Sequence, residues 1–111
     1  MKELIKNVQQ WAYERNLISG SDPKSQTLKL MSEAGELADN INKGKDCRDD
    51  IGDCAVVLII LAEQLGYTLE ECLETAYIDI KDRKGIMYKG VFIKSTDERY
   101  ESAKRELGYG H

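Results

Sequence analysis

Apolar residues recur at helical spacing along the first two thirds of the chain. The segment from about Lys2 to Asn16 places its apolar side chains on one helix face, at Leu4, Ile5, Val8, Trp11 and Ala12. A second helix is predicted from Pro23 to about Lys43, because Asp22 can cap its first turn and Gly44 follows its end. Its inward stripe consists of Leu30, Ala34, Leu37, Ala38 and Ile41.

Two further helices are predicted from the same kinds of signal. Asp46 can cap a third helix, whose centre from Cys54 to Ala62 is apolar nearly all round. A buried strand would also explain that run, but a capped span of roughly 20 residues favours a helix. Thr68 and Glu71 form a capping box for a fourth helix, which we expect to continue to about Lys84.

The periodic pattern weakens after the fourth helix. The stretch MYKGVFIK alternates weakly around Gly90 and predicts either a short hairpin or an irregular arm. Residues Thr96 to Leu107 are compatible with a final charged helix. We therefore predict an all-α fold in a single domain over residues 1–111, with a four-helix bundle core and a C-terminal arm.

Composition and charge exclude several classes of protein. A chain of 111 residues, 41% hydrophobic and 32% charged, fits one modest core. The net charge of −4 argues against a nucleic-acid polymer as partner. The longest apolar run is too short to span a bilayer, so no membrane partner is expected. The three cysteines show no CxxC spacing, and no signal peptide is evident, which favours the cytoplasm, or the host cytoplasm for a phage-encoded protein. The single histidine, His111, argues against a histidine-based mechanism.

Two acidic pairs carry the candidate chemistry. Glu33 and Glu36 lie on the second predicted helix, and Asp50 and Asp53 lie near the start of the third. Each i, i+3 pair shares one side of its helix, and a short connection makes the two helices antiparallel neighbours. Four converging carboxylates repel one another unless cations neutralise them, and oxygen ligands favour Mg²⁺, with Mn²⁺ as a substitute. The alternative is ordinary: solvated helix faces, with Asp50 and Asp53 stabilising a helix N-terminus.

The segments SEAGELADNI and DDIGDCAVVLIILAEQLG resemble the all-α nucleoside triphosphate pyrophosphohydrolases, the superfamily that contains MazG, dimeric dUTPase and dCTP pyrophosphatase. The shared pattern is an ExxE helix followed by an ExxD at the start of the next helix. Here Asp50 stands where the family more often has glutamate, and its shorter side chain reaches about one bond less far. The resemblance covers roughly residues 4 to 93.

This resemblance implies an enzyme that cleaves a nucleoside or deoxynucleoside triphosphate between the α- and β-phosphates, giving the monophosphate and pyrophosphate. It implies that Mg²⁺ is held by four carboxylates, those of Glu33, Glu36, Asp50 and Asp53. Glu33 and Glu36 are then the catalytic candidates, with Glu36 as the candidate base. Lys81 and Arg83, on the fourth predicted helix, would bind the phosphates. Trp11 invites a base-stacking role, although its place on an apolar stripe favours core or interface packing.

The resemblance also implies a homodimer or a homotetramer, with nucleotide bound near the subunit contact. Three other functions stay open from the sequence: a non-catalytic sensor that binds nucleotide and metal, a helical adaptor protein, and a hydrolase of dUTPase type that also accepts diphosphates. No residue pattern identifies the base or the sugar of the substrate.

Overall fold

The computed structural model describes residues 1–108 and is mainly helical, as predicted, with one two-stranded sheet. His111 lies outside the described residues. The elements in chain order are α1 (Lys2–Glu14), α2 (Pro23–Asn42), α3 (Arg48–Gln64), α4 (Leu69–Ile80), β1 (Gly85–Tyr88), β2 (Val91–Lys94) and α5 (Tyr100–Glu106). The chain divides into two compact units, Met1–Glu74 and a second that begins at Thr75. The single domain stays a prediction.

Capping residues set the ends of the helices in the first unit. The Ser25 amide donates to Asp22 Oδ1 at 2.8 Å, so Asp22 caps α2 as predicted. This hydrogen bond, with a second from the Ser25 hydroxyl, lowers the pKa of the Asp22 carboxyl below its ordinary value of 3.8. The predicted cap of α3 is off by one residue. Cys47 occupies the N-cap position, while Asp46 Oδ1 accepts from the Arg48 amide at 3.0 Å just before the helix.

Helix α3 is the centre of the first unit, because α1 and α2 both pack against it. Its buried residues are Val57, Ile59, Ile60 and Ala62, and α1 contributes Ile5 and Ala12 to the same unit. The Asn40 side chain, near the end of α2, donates to Asp50, near the start of α3. The five residues between the two helices, 43–47, make them antiparallel neighbours, as the short connection predicted.

Helix α4 does not confirm the predicted four-helix bundle. The Glu71 amide donates to Thr68 Oγ1 at 3.1 Å, which supplies the helix start that the capping box predicted. However, every residue from Glu71 to Ile80 is exposed, and the boundary between the two units falls within this helix. Three packed helices, α1 to α3, are therefore what the first unit shows.

The C-terminal arm is a hairpin followed by a short helix. Strands β1 and β2 pair antiparallel with Tyr88 opposite Val91, leaving Lys89 and Gly90 as a two-residue turn. Both turn residues have positive φ, 49° and 79°, which is the backbone of a type I′ turn. The Ser95 amide donates to the Lys84 carbonyl at 2.9 Å. Lys84 therefore belongs to the hairpin, and the predicted continuation of the fourth helix to this residue is wrong.

Helix α5 packs against β1 within the second unit. Ile93 of β2 and Ala103 of α5 are buried there, and the Tyr88 hydroxyl donates to the Glu106 carboxylate. A helix within the predicted stretch from Thr96 to Leu107 is confirmed, although it is shorter than that stretch.

Within residues 1–108, no single helix has both the length and the apolar composition needed to cross a membrane. Helices α3 and α4 meet that test only jointly, as a pair bent by 100°.

Candidate acidic site and its cavity

One cavity of 240 Å³ in the first unit brings residues of both acidic motifs together. Glu33 comes from α2 and Asp53 from α3, so each motif contributes one carboxylate. The remaining wall combines polar residues of α2 with an aromatic ring and aliphatic side chains: Trp11, Leu17, Gln26, Lys29, Val56, Val57 and Ile60. The antiparallel packing of α2 on α3 therefore places an acidic pair in a cavity whose remaining lining is mostly apolar.

Glu33 has one paired and one unpaired carboxylate oxygen. Its side chain is only 14% exposed, and Lys29 Nζ lies 3.4 Å from Oε1. Oε2 is buried and has no hydrogen-bond partner. A buried carboxylate oxygen without a donor is unfavourable unless a cation or a ligand hydrogen-bond donor reaches it. Among the four acidic residues, Glu33 is therefore the one whose unpaired oxygen a cation or a hydrogen-bond donor would stabilise most.

Asp53 is half-buried on α3, in a negatively charged environment. Partial burial, followed by the charges of Asp49, Glu33 and Asp50, raises the pKa of its carboxyl above 3.8, and Lys29 opposes that shift. Burial and like charges both disfavour the ionised form. A divalent cation at this position would reverse the effect by stabilising the carboxylate.

Glu36 and Asp50 have other surroundings. Glu36 is exposed on α2 and does not line the cavity. Both oxygens of Asp50 accept from the Asn40 side-chain amide, at 3.0 and 3.1 Å. Throughout the described part of the chain, no three Asp, Glu, Cys or His side chains form a group that could hold a metal ion. The convergence of all four carboxylates on Mg²⁺ stays a prediction.

Trp11 lies at the cavity and not in the core. Its side chain is 43% exposed, and the Arg15 guanidinium lies 4.9 Å from the ring centroid in a cation–π arrangement. The expectation of packing within the core is therefore wrong, and packing at an interface stays a prediction. An aromatic ring at the cavity wall is available to stack on a flat ligand.

Lys81 and Arg83 belong to the second unit and lie in the turn after α4, not on the helix as predicted. Helix α4 ends at Ile80 and the hairpin begins to pair at residue 84, so both residues lie in the connection between them. Arg83 Nη2 forms an ion pair with Asp79 Oδ2 at 3.2 Å. Binding of phosphate by these two residues stays a prediction.

Gln26 and Lys29 were not identified from the sequence as candidate site residues. Gln26 is 6% exposed, donates from Nε2 to Ser21 Oγ at 2.9 Å, and leaves its buried Oε1 without a partner. The available signal was position: Gln26, Lys29 and Glu33 are spaced i, i+3, i+7 on α2 and therefore share one helix face. A lone glutamine on a helix carries no motif, so only its burial reveals it.

A larger cavity of 430 Å³ lies within the second unit, between the hairpin and α5. Its lining has no net formal charge, because the basic residues Lys89 and Arg99 are matched by the acidic residues Glu98 and Glu106. The unpartnered buried side-chain atoms within residues 1–108 belong to Gln26, Glu33 and Gln64, none of which lines that cavity. The smaller acidic cavity is therefore the stronger candidate for a binding site.

Comparison with known proteins gives a phage relative and no functional assignment. No protein-family profile matches the chain, and no solved structure matches it. A stretch of 66 residues is 50% identical to a protein of Haemophilus phage HP1 (strain HP1c1) described as "Uncharacterized 18.2 kDa protein in rep-hol intergenic region". The match covers 58% of this chain and 40% of that protein, so the chain spans less than half of this relative's length.

Proposed function

We propose that the protein hydrolyses nucleoside or deoxynucleoside triphosphates between the α- and β-phosphates in a Mg²⁺-dependent reaction. The observation that carries this proposal is that Glu33 and Asp53, which come from two different acidic motifs, line the same cavity. The buried, unpartnered Oε2 of Glu33 supports it, because that atom needs a cation or a donor. The order of the two motifs, ExxE then DxxD, supports the same chemistry through its resemblance to the pyrophosphohydrolases.

The donor set fits Mg²⁺. This ion is usually bound by one or two carboxylates together with substrate phosphates, and it keeps several waters. Glu33 and Asp53 would supply those carboxylates, with Glu36 and Asp50 as further ligands in the proposed complex. When bound, Mg²⁺ supplies charge neutralisation at the triphosphate.

The residues of the chain would then orient substrate and move a proton. We assign the general base to Glu36, which is exposed and one turn from Glu33, so that it would accept the proton of the attacking water. The water oxygen forms a bond to the α-phosphorus, the bond from that phosphorus to the α–β bridging oxygen breaks, and pyrophosphate leaves with the bridging oxygen. Lys29, whose side chain is 59% exposed, can exchange its Glu33 partner for a phosphate oxygen. Lys81 and Arg83 are further candidates for phosphate binding.

The test is pyrophosphate release from a panel of ribo- and deoxyribonucleoside triphosphates with Mg²⁺. We expect turnover that EDTA abolishes and that Glu33→Gln lowers by roughly 100-fold or more, because the carboxylate acts on charge that develops during the reaction. The exposed residue Glu3, on α1, offers a matched control, since Glu3→Gln changes the same charge away from the cavity. Glu36→Gln should abolish turnover, and retained Mg²⁺ binding by this variant would identify Glu36 as the base and not as a required ligand.

Pyrophosphate release from no nucleotide, with Mg²⁺ or Mn²⁺, would contradict the proposal and favour the sensor or the adaptor. Turnover of nucleoside diphosphates as well, measured in a parallel panel as phosphate release, would instead indicate the dUTPase type of hydrolase.

A further inference from the structure

The end of the acidic cavity away from the carboxylates contains a polar atom that the chain leaves unsatisfied. Gln26 is 94% buried, given its exposed fraction of 6%, and it lines the cavity. Its Nε2 donates to Ser21 Oγ at 2.9 Å, while Oε1 has no donor. Burial of an amide oxygen without a partner is unfavourable, so a ligand N–H group that reaches this oxygen would be favoured.

Helix geometry separates this oxygen from the acidic pair. Gln26 and Glu33 are seven residues apart on one face of α2, which corresponds to about 10 Å along the helix axis. Because α3 runs antiparallel, Asp53 accompanies Glu33 at one end of the cavity and Ile60 accompanies Gln26 at the other. A sugar and a base can occupy this interval when the phosphates lie at the carboxylates.

The walls between the two ends favour a flat aromatic ligand. The side chains there are aliphatic, from Leu17, Val56, Val57 and Ile60, and the Trp11 ring completes the lining. Apolar and aromatic walls with one convergent polar group are typical of a site that binds a small heterocycle. A ligand with many hydroxyl groups would find too few hydrogen-bond partners here. Besides the acidic pair, the polar residues of the lining are Gln26 and Lys29.

We infer that this cavity holds the nucleoside of the substrate and that Gln26 Oε1 selects bases with an amino group at C4 of a pyrimidine or C6 of a purine, which are cytosine and adenine. Uracil, thymine and guanine carry a carbonyl oxygen at the corresponding position of the pairing edge, so two acceptors would face each other. This inference rests on the proposed function for the placement of the phosphates. A site built to hydrogen-bond one group rejects an analogue that leaves a buried polar atom unpaired.

Trp11 is the single tryptophan of the chain, so its fluorescence reports binding in the cavity without any chemical step. We would titrate the protein with dCMP, dUMP, dAMP and dGMP. We expect dCMP to bind roughly 10- to 100-fold more tightly than dUMP, and dAMP more tightly than dGMP by a similar factor. The substitution Gln26→Leu should reduce both ratios to near one.

Two further variants separate base selection from packing. Gln10→Leu is the matched control, because Gln10 is exposed on α1 and pairs with Glu14 outside the cavity. It should keep both ratios. Ser21→Ala removes the hydroxyl that accepts from Gln26 Nε2, so the Gln26 amide can turn and donate to a carbonyl of the base. This variant should lower the ratio of dCMP to dUMP affinity although the Gln26 side chain is unchanged. A purely structural role of Gln26 would weaken all four nucleotides equally. Circular dichroism establishes that each variant is folded.

Equal binding of dCMP and dUMP by the unsubstituted protein would overturn the inference, as would an unchanged ratio in Gln26→Leu or a failure of all four nucleotides to bind. Selective dCMP binding without turnover of any triphosphate would support it and reject the proposed catalysis. Turnover without base preference would support the catalysis and overturn the role of Gln26.

Discussion

Asp53 illustrates how a carboxylate in a negatively charged environment destabilises the fold that contains it. Its pKa is raised by partial burial and by the charges of Asp49, Glu33 and Asp50. A raised pKa means that the native protein binds the proton more tightly than the unfolded chain does. Stability is therefore highest with Asp53 protonated and falls as the pH rises through its raised pKa. At neutral pH the ionised group opposes folding unless a cation offsets the repulsion.

We therefore expect Asp53→Asn to raise the melting temperature at neutral pH by a few degrees and to remove this part of the pH dependence. Thermal unfolding followed by circular dichroism between pH 4 and 8 measures both effects. Mg²⁺ should stabilise the unsubstituted protein more than Asp53→Asn, because ligand binding to the native state adds stability.

Asp39 provides the control for this substitution. It lies on α2, pairs with Lys43 at 2.7 Å, and does not line the cavity. Asp39→Asn should not raise the melting temperature. An equal rise in both variants would show that the effect comes from net charge and not from the acidic cavity.

Among the elements, the hairpin depends on its turn and the helices depend on their caps. Lys89 and Gly90 both adopt positive φ in the turn between β1 and β2. Side chains are unfavourable in this backbone region, and glycine avoids that penalty. The turn sequence and the weak alternation around it were enough to predict a hairpin as one of two outcomes. The Asp22 cap was predicted outright, because a side-chain oxygen three residues before an amide is a local arrangement.

The substitution Gly90→Ala should destabilise the hairpin by about 1 kcal/mol, because alanine is strained at φ 79° even though nothing lies within 4 Å of the added Cβ. Amide hydrogen exchange in β1 and β2 measures this local effect.

Gly35 gives a matched substitution with the opposite sign. It lies within α2, where a Cβ would also meet nothing within 4 Å, and its φ is not positive. Gly35→Ala should raise stability by roughly 0.5–1 kcal/mol, since glycine is the weaker helix former. Faster exchange in β1 and β2 of Gly35→Ala would contradict this assignment of the two glycines.

For the whole molecule, we predict self-association from rows of exposed apolar residues. Ile51, Leu58 and Leu65 recur every seven residues along α3 and its C-cap, so they lie on one face, and they are 59%, 38% and 51% exposed. Leu28 and Met31 of α2 are exposed by more than two thirds of their surface, at 68% and 67%. Apolar side chains in such rows commonly mark an interface between proteins. This pattern agrees with the dimer or tetramer that the resemblance implies.

We expect size-exclusion chromatography with light scattering at low micromolar concentration to give a dimer or a tetramer. Leu58→Glu should shift the population toward monomer, because a buried charge without a partner is strongly unfavourable. Leu107→Glu places the same charge on an exposed apolar residue of the second unit and should leave the mass unchanged. A monomeric unsubstituted protein would contradict the prediction.

The parts of this protein that follow from its sequence are those set by interactions between residues close in the chain. The Asp22 cap, the Thr68 hydrogen bond that begins α4 and the apolar centre of α3 all depend on neighbours within a few positions. Helix periodicity and capping act locally, so a single sequence reveals them. The same local reasoning identified Glu33 and Asp53 as members of two acidic motifs.

Packing between distant segments determined the rest. Lys84 pairs with Ser95 of the hairpin and α4 ends at Ile80, so Lys81 and Arg83 lie in the connection between the two elements. The antiparallel contact of α2 with α3 divided the four carboxylates, with Glu33 and Asp53 on the cavity, Glu36 in solvent and Asp50 against Asn40. It also buried Gln26, whose unpartnered oxygen no motif could have revealed. Burial and hydrogen-bond satisfaction depend on residues far apart in the chain, and they appear only when the helices are packed together.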